Sequence, residues 1–309
     1  MTKQDLRIIF LGTPDFATAS LRALVEGGYN VVAVVTMPDK PAGRGHQLQF
    51  SDVKKYALSV GLPVLQPEKL KDETFIEQLR AYQADLQIVV AFRMLPEIVW
   101  SMPRLGTFNL HGSLLPQYRG AAPINWALIN GDTTTGVTTF MLKHEIDTGN
   151  IIMQESTPIN ENENVGTVYD RLMQIGQTLV TRTVDLIIES DSNNTPLPTI
   201  PQIETNELRP APKLFKDTCE IHFDQMTATQ VKNFVRGLSP YPAAWCNMTI
   251  AEQPFENVKI HAVEAIEGTL KTSNKEIIIP CKEGLVRILE LQAPGKKRMD
   301  IKSFLNGLR

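Results

Sequence analysis

The sequence predicts an α/β protein: a Rossmann-like, mostly parallel sheet domain followed by a small OB-like β-barrel domain. Three observations predict it. Over the first half of the 309 residues, near-continuous apolar and β-branched runs alternate with helix-spaced segments, the pattern of a parallel sheet buried on both faces. A stretch rich in Pro, Asn, Ser and Thr, residues 190–208, then interrupts all periodicity. Beyond it come many short strand-like pieces and one helical piece, as in small barrels. The expected boundaries are a domain over 1–189, a linker over 190–206 and a barrel over 207–309.

In chain order, LRIIFLG (6–12) is the first strand, and Thr13 and Pro14 supply the N-cap and first position of a helix that ends at Gly27 and Gly28. Strands follow at 31–36, 62–66, 86–91 and 106–111, with helices near 52–60 and 72–82. GVTTFML and NIIMQESTPI are two further strands joined through HEIDTG, and a long amphipathic helix occupies about 165–189. In the second domain, strands are expected at 220–223, 244–250, 258–264, 276–280 and 285–291, with a helix at 228–238. The first βα turn, Gly12-Thr13-Pro14-Asp15, lacks the Gly-x-Gly-x-x-Gly fingerprint, which disfavours a dinucleotide enzyme.

Composition narrows the class. With 42% hydrophobic and 21% charged residues and no bilayer-length apolar run, no membrane span is expected. The start, MTKQDLRIIFLG, runs from polar residues straight into a strand, so no leader is expected. Three widely spaced cysteines, Cys219, Cys246 and Cys281, suggest neither a disulfide framework nor a zinc knuckle. A cytoplasmic monomer without a metal is the resulting expectation. Net charge is −3 overall, yet 207–309 holds 15 basic and 12 acidic residues, a mild excess of positive charge. By itself that excess is an ordinary solvated surface.

The chemistry concentrates in NLHGSLLP, residues 109–116. In a strand, residues i and i+2 share a face, so Asn109 and His111 point together at the carboxyl end of a parallel strand, where such sheets bind ligands. A carboxamide NH₂ can steady an oxyanion and an imidazole can exchange a proton near neutrality. Each residue alone is more often a turn cap or a structural histidine. A third group, Asp147 in the loop HEIDTG, could orient and charge-stabilise His111. Ser113 lies in no nucleophile elbow and the cysteines have no local partner, so direct transfer between two bound substrates is favoured over a covalent intermediate.

Those residues, with GTPDFA (12–17), PDKPAGRG (38–45), NLHGSLLPQYRGAAPINW (109–126), the DTG at Asp147, the Lys213-Leu214 pair and APGKKRM (293–299), resemble the folate-dependent formyltransferases over nearly the whole chain. Within them, the sequence is similar to the methionyl-tRNA formyltransferase family. The resemblance implies that Asn109, His111 and Asp147 are catalytic and that Ser113, Leu114, Leu115 and Pro116, with Phe92, Arg93 and Met94, line the site for 10-formyltetrahydrofolate. It implies initiator methionyl-tRNA as acceptor, contacted through Lys40 and Arg44, with His46 beside them, in the 38–48 loop. Lys213, Lys296, Lys297 and Arg298 would add a mildly basic surface. Formyltransferases acting on glycinamide ribonucleotide or an aminosugar nucleotide share the Asn-x-His motif but are not expected to combine this loop with this C-terminal barrel. AFRMLP (91–96) departs from the family pattern. Arg93 there resembles the arginine of the glycinamide-ribonucleotide enzymes and is expected beside the folate. A non-catalytic RNA-binding protein is the reading from another class, and the intact catalytic set argues against it.

Overall fold

The computed structural model describes residues 1–42, 47–204, 206–250, 252–269 and 276–308. It divides into two compact units, each drawn from several stretches of chain. Unit 1 comprises Met1–Arg119, Gly136–Ser156 and Asp170–Arg209; unit 2 comprises Gly120–Thr135, Thr157–Tyr169 and Pro210–Arg309.

Unit 1 is built on β1 (Ile8–Gly12), α1 (Asp15–Glu26), β2 (Val31–Val35), the hairpin β3 (Lys40–Ala42) and β4 (Gln47–Gln49), α2 (Asp52–Ser59), β5 (Val64–Leu65), α3 (Glu73–Ala81), β6 (Leu86–Val90), α4 (Glu97–Trp100) and β7 (Thr107–His111). Beyond α5 (Pro123–Ile129) come β8 (Thr134–Met141), β9 (Ile151–Pro158) and the long α6 (Val165–Ser192). The seven-stranded sheet runs β5-β2-β1-β6-β7-β8-β9. The first five strands pair in parallel and β7 pairs with β8 antiparallel. β1 and β6 are buried at every position, as expected of apolar strands covered on both faces, with Gln87 as the polar residue within β6. Order reverses at β1, so the carboxyl ends of β1, β6 and β7 form the crevice where such sheets bind ligands. At Gly12 a Cβ would lie 2.6 Å from the Ala17 Cβ, so only glycine lets α1 start this close to the sheet.

Local chemistry corrects two sequence expectations. Thr13 does not cap α1: Pro14 takes the N-cap position without a side-chain bond, and Thr13 Oγ1 is buried unpartnered. Part of the expected surface loop at 38–48 is the β3–β4 hairpin. Lys54 of α2 holds its base, bonding Asp39 and, at 2.7 Å, Gln66 Oε1, while its ammonium sits 4.0 Å from the Phe50 ring centroid.

Unit 2 carries α7 (Ala228–Leu238), β10 (Ala244–Ile250), β11 (Gln253–Ile266), β12 (Ile278–Pro280), β13 (Leu285–Gln292), β14 (Met299–Asp300) and α8 (Ile301–Asn306). Its sheet is antiparallel, β10-β11-β13-β12, with β14 pairing the far end of β13, and it curls as half of a barrel. Residues 220–223 contribute one bridge, Glu220 to Trp245, rather than the expected strand. A Thr227–Gln230 capping box starts α7, whose Val231, Val235 and Leu238 pack on Val258, Ile260, Val286 and Ile288.

His261 of β11 is buried with neither ring nitrogen in a well-formed hydrogen bond. Burial, then the nearby Arg298, holds its pKa below the usual histidine value; Lys259 acts in the same sense, while Gln292 and Glu290 oppose. A depressed folded-state pKa means the unfolded chain binds more protons below about pH 6.5. The neutral ring's contribution is complete above that value and is lost as pH falls through the folded pKa. Urea unfolding of the full chain should therefore show stability declining below about pH 6.5, and less steeply in His261→Leu. An identical pH slope in the two proteins would remove His261 as the cause.

Candidate active site

β7 delivers the first two groups. Its register sets Asn109 between Val89 of β6 and Phe140 of β8, and His111 opposite Thr138. Two residues apart on one strand, they share a face, with Cα atoms roughly 7 Å apart. Asn109 Oδ1 is buried and has no hydrogen-bond partner. An unsatisfied buried amide oxygen costs on the order of 1–3 kcal/mol, a penalty that persists where a group is held ready for a ligand.

His111 Nε2 lies 2.8 Å from the Tyr118 carbonyl oxygen. A carbonyl only accepts, so Nε2 carries a proton and proton exchange falls to Nδ1. Nδ1 faces Asp147 Oδ2 at 4.0 Å, too far for a direct hydrogen bond. The carboxylate can still stabilise an imidazolium electrostatically, because both side chains are at most 10% exposed. Phe140 meets the imidazole edge to face at 6.4 Å. The geometry thus brings His111 and Asp147 together, with Asp147 as a charge partner rather than a hydrogen-bonded clamp.

The turn after β7 is tied down by strand residues that the sequence reading missed. Thr138 Oγ1 donates to Ser113 O and accepts from Leu115 N, and Gln154 Nε2 donates to Leu115 O and to Thr138 Oγ1. Ser113 is fully buried and its hydroxyl donates to Gln117 O, closing the turn on itself. Leu115 is buried with Phe140 and Ile151, while Leu114 and Pro116 are half-buried. For Thr138 the sequence signal was a polar side chain inside an otherwise buried strand; Gln154 lies on an exposed position of β9 and gave none.

At the end of β6, Ala91 has φ 47°, and Phe92, Arg93 and Met94 follow. Arg93 turns to the β5–α3 connection: Nη1 donates to Glu68 O at 2.7 Å and Nη2 to Pro67 O. Burial depresses its pKa, and its guanidinium sits 5.6 Å from the Phe92 ring centroid. Its guanidinium is therefore engaged in holding a loop, beside a cavity of about 400 Å³ lined by residues that include Gln66, Pro67, Glu68 and Phe75. Met94 is 75% exposed.

Asp147 has φ 53° and Tyr118 φ 61°, so left-handed, non-glycine backbone occurs at both groups facing His111 as well as at Ala91. Such conformations are strained and concentrate at functional sites. Gly149 fixes the loop from the other side: a Cβ there would lie 1.6 Å from Met141 O.

Of the cations expected on nucleic acid, Lys40 is exposed at the start of β3, whereas Arg44 and His46 lie outside the described residues. Lys213, Lys296 and Lys297 are exposed in unit 2, with Lys213 5.4 Å from the Phe215 ring centroid. Arg298 is engaged: Nε and Nη2 each reach a Glu290 carboxylate oxygen at 2.6 Å, which raises its pKa and lowers that of Glu290. Among the described residues, no group of three or more His, Cys, Asp or Glu side chains could hold a metal ion. No described helix is long and apolar enough to cross a membrane.

The chain is similar to known proteins over nearly its whole length. Residues 6–184 match the formyl transferase family and residues 213–309 its C-terminal domain. A methionyl-tRNA formyltransferase of Parabacteroides distasonis is 60% identical over 100% of this chain and 98% of its own, and one of Bacteroides fragilis is 57% identical over 99% and 96%. An N-formyltransferase from Helicobacter canadensis, solved with folinic acid and dTDP-3-aminofucose, shares the fold with a TM-score of 0.64 at 20% identity, over 93% of this chain and 99% of that one. HypX from Aquifex aeolicus, solved with tetrahydrofolic acid, gives 0.62 at 17% identity over 97% of this chain and 47% of that one. With both family regions present in order and relatives more than half identical from end to end, the chain belongs to the formyl transferase family, on its methionyl-tRNA formyltransferase branch.

Proposed function

We infer that the protein transfers a formyl group from 10-formyltetrahydrofolate to the α-amino group of methionine on initiator methionyl-tRNA, supplying formylmethionyl-tRNA for translation initiation. The observation that carries the chemistry is the Asn109 carboxamide set on the same face of β7 as a histidine whose Nε2 is already committed to a backbone carbonyl. The end-to-end likeness to methionyl-tRNA formyltransferases carries the acceptor.

The folate supplies an activated formyl group; the chain's residues do the rest. Asn109 Nδ2 donates to the formyl oxygen as it gains negative charge. The attacking amine has an ordinary pKa of about 7.7–8.0, so a useful fraction is neutral near pH 7. As the amine nitrogen bonds to the formyl carbon and the bond from that carbon to folate N10 breaks, His111 takes the amine's proton at Nδ1 and passes it to the departing N10. Nε2 stays on Tyr118, and Asp147 stabilises the imidazolium across the gap. Ser113 to Pro116 and Phe92 to Met94 form the folate side, where Arg93 acts by holding the β5–α3 connection. Nη1 and Nη2 of Arg93 each bond a backbone carbonyl, which sets this side chain to hold a loop rather than a small-molecule acceptor. Unit 2 and the β3–β4 hairpin serve the tRNA through Lys40, Arg44, Lys213, Lys296 and Lys297, with Arg298 subordinate because it is paired.

The deciding assay offers labelled 10-formyltetrahydrofolate with charged tRNAs and small amines; label on small amines alone would reverse the acceptor assignment. In that assay Asn109→Ala should lower turnover on the order of 10²–10³-fold with little change in substrate binding, the usual cost of one oxyanion donor. Near-normal turnover would take Asn109 out of the catalytic set. Arg93→Ala should raise the Michaelis constant for folate and leave that for tRNA unchanged; the opposite pattern contradicts its placement. Neutralising Lys296 and Lys297 should flatten the log-affinity against log-salt slope for tRNA by roughly 0.7–0.9 per lost contact, whereas Arg298→Gln should change it less. Equal effects would mean that the Glu290 pairing is broken on binding.

A further inference from the structure

The 190–206 segment reads from sequence as a tether, yet its described residues, with those just after it, are bonded into unit 1. Ile200 exchanges both backbone hydrogen bonds with Ile151 at 2.8 Å, and Asn150 donates to Thr199 Oγ1. Gln202 then reaches the catalytic loop: its single NH₂ donates to Asp147 O at 2.9 Å and to Gly149 O at 2.8 Å. Its amide oxygen is gripped in turn by Arg119, whose Nε and Nη2 lie 3.1 and 2.8 Å away, while Nη1 holds Glu204 at 2.8 Å. The Arg119 side chain is 19% exposed, so its bonds to Gln202 are partly shielded, whereas Glu204 is 73% exposed. The same segment holds the other face of the imidazole. Arg209 O accepts from Tyr118 N at 2.8 Å, and Gln117 Nε2 donates to Glu207 O while its Oε1 accepts from Arg209 N.

Both groups that face the two nitrogens of His111 are thus fastened from outside by residues 202–209, and both have left-handed backbone that needs such support. We propose that this segment is part of the catalytic apparatus, with Gln202, braced by Arg119, as the positioning residue that keeps Asp147 facing His111 Nδ1. The proposal rests on the formyl-transfer reading above. Gln202 touches no reacting atom. It acts by fixing the backbone from which Asp147 projects, and a shift of about 1 Å in such a group can cost roughly 10²-fold in rate.

The test is a double-mutant cycle in the formyl-transfer assay on the full chain. Gln202→Met keeps the length of the side chain and removes both donors. It should lower turnover roughly 10- to 100-fold with both Michaelis constants unchanged, and should cost nothing further in an Asp147→Asn background. Arg119→Lys, which keeps the charge and loses the two-nitrogen grip, should give a smaller loss of the same kind and provides the readout if Gln202→Met does not fold. Near-normal turnover in folded Gln202→Met, with Asp147→Asn severely impaired, overturns the positioning role and leaves the formyl-transfer reading standing. A loss of equal factor in both backgrounds also overturns it, since Gln202 would then act on something other than Asp147. A harmless Asp147→Asn would sink the assignment of Asp147, and the role of Gln202 with it.

Discussion

The hydrogen bond from His111 Nε2 to the Tyr118 carbonyl is the constraint on which the site depends. It fixes the tautomer, and so decides that proton exchange belongs to Nδ1 and that Asp147 is the charge Nδ1 sees. The bond exists only because the chain reverses between His111 and Tyr118 through a turn with little freedom left. Thr138 and Gln154 pin that turn from the neighbouring strands, and Ser113 closes it internally. Removing water from these groups is what makes their geometry matter, since an exposed imidazole and carboxylate 4 Å apart would interact by only about 1 kcal/mol.

The support is polar where a buried strand is ordinarily apolar. Thr138 and Thr139 are fully buried on β8, the first holding the turn and the second sharing a hydrogen bond with Thr183 of α6. Such residues are tolerated inside a sheet because each finds a partner, and in return they fix one arrangement of the loop above. Asn109 is the exception, with a buried acceptor left unpaired at the point where a substrate group is needed. Its immediate supports differ from it in this respect, since the hydroxyls of Ser113 and Thr138 are both bonded.

The segment after α6 changes the meaning of the domain division. Its composition reads as flexible, and in isolation it would be. In the folded chain, Gln202 and Arg209 convert a connecting stretch into the outer wall around His111. Arg93 tells a similar story in reverse: a cation at a strand's carboxyl end invites assignment to a ligand, yet its Nη1 and Nη2 each bond a backbone carbonyl.

The alternating pattern of β1, β2, β6 and β7 was legible in the sequence because burial on both faces demands unbroken apolar runs, and the place of Asn109 and His111 followed from a two-residue period at a strand end. Asp147 was legible only through its motif. The β3–β4 hairpin, the engagement of Arg298 by Glu290 and the roles of Thr138, Gln154 and Gln202 were not, because each depends on a pairing geometry that no residue pattern specifies, with partners eight residues away for Arg298 and 55 for Gln202. Sequence alone thus determined the layers, the strand that carries the chemistry and the residue types at its end, all of them consequences of local periodicity. Tertiary structure decided which histidine nitrogen works, how far Asp147 stands from it and what holds both in place, because the turn that brings Tyr118 O to His111 and the hydrogen bonds 55 to 91 residues apart that brace Asp147 and Tyr118 are set by the folded geometry and leave no period in the chain.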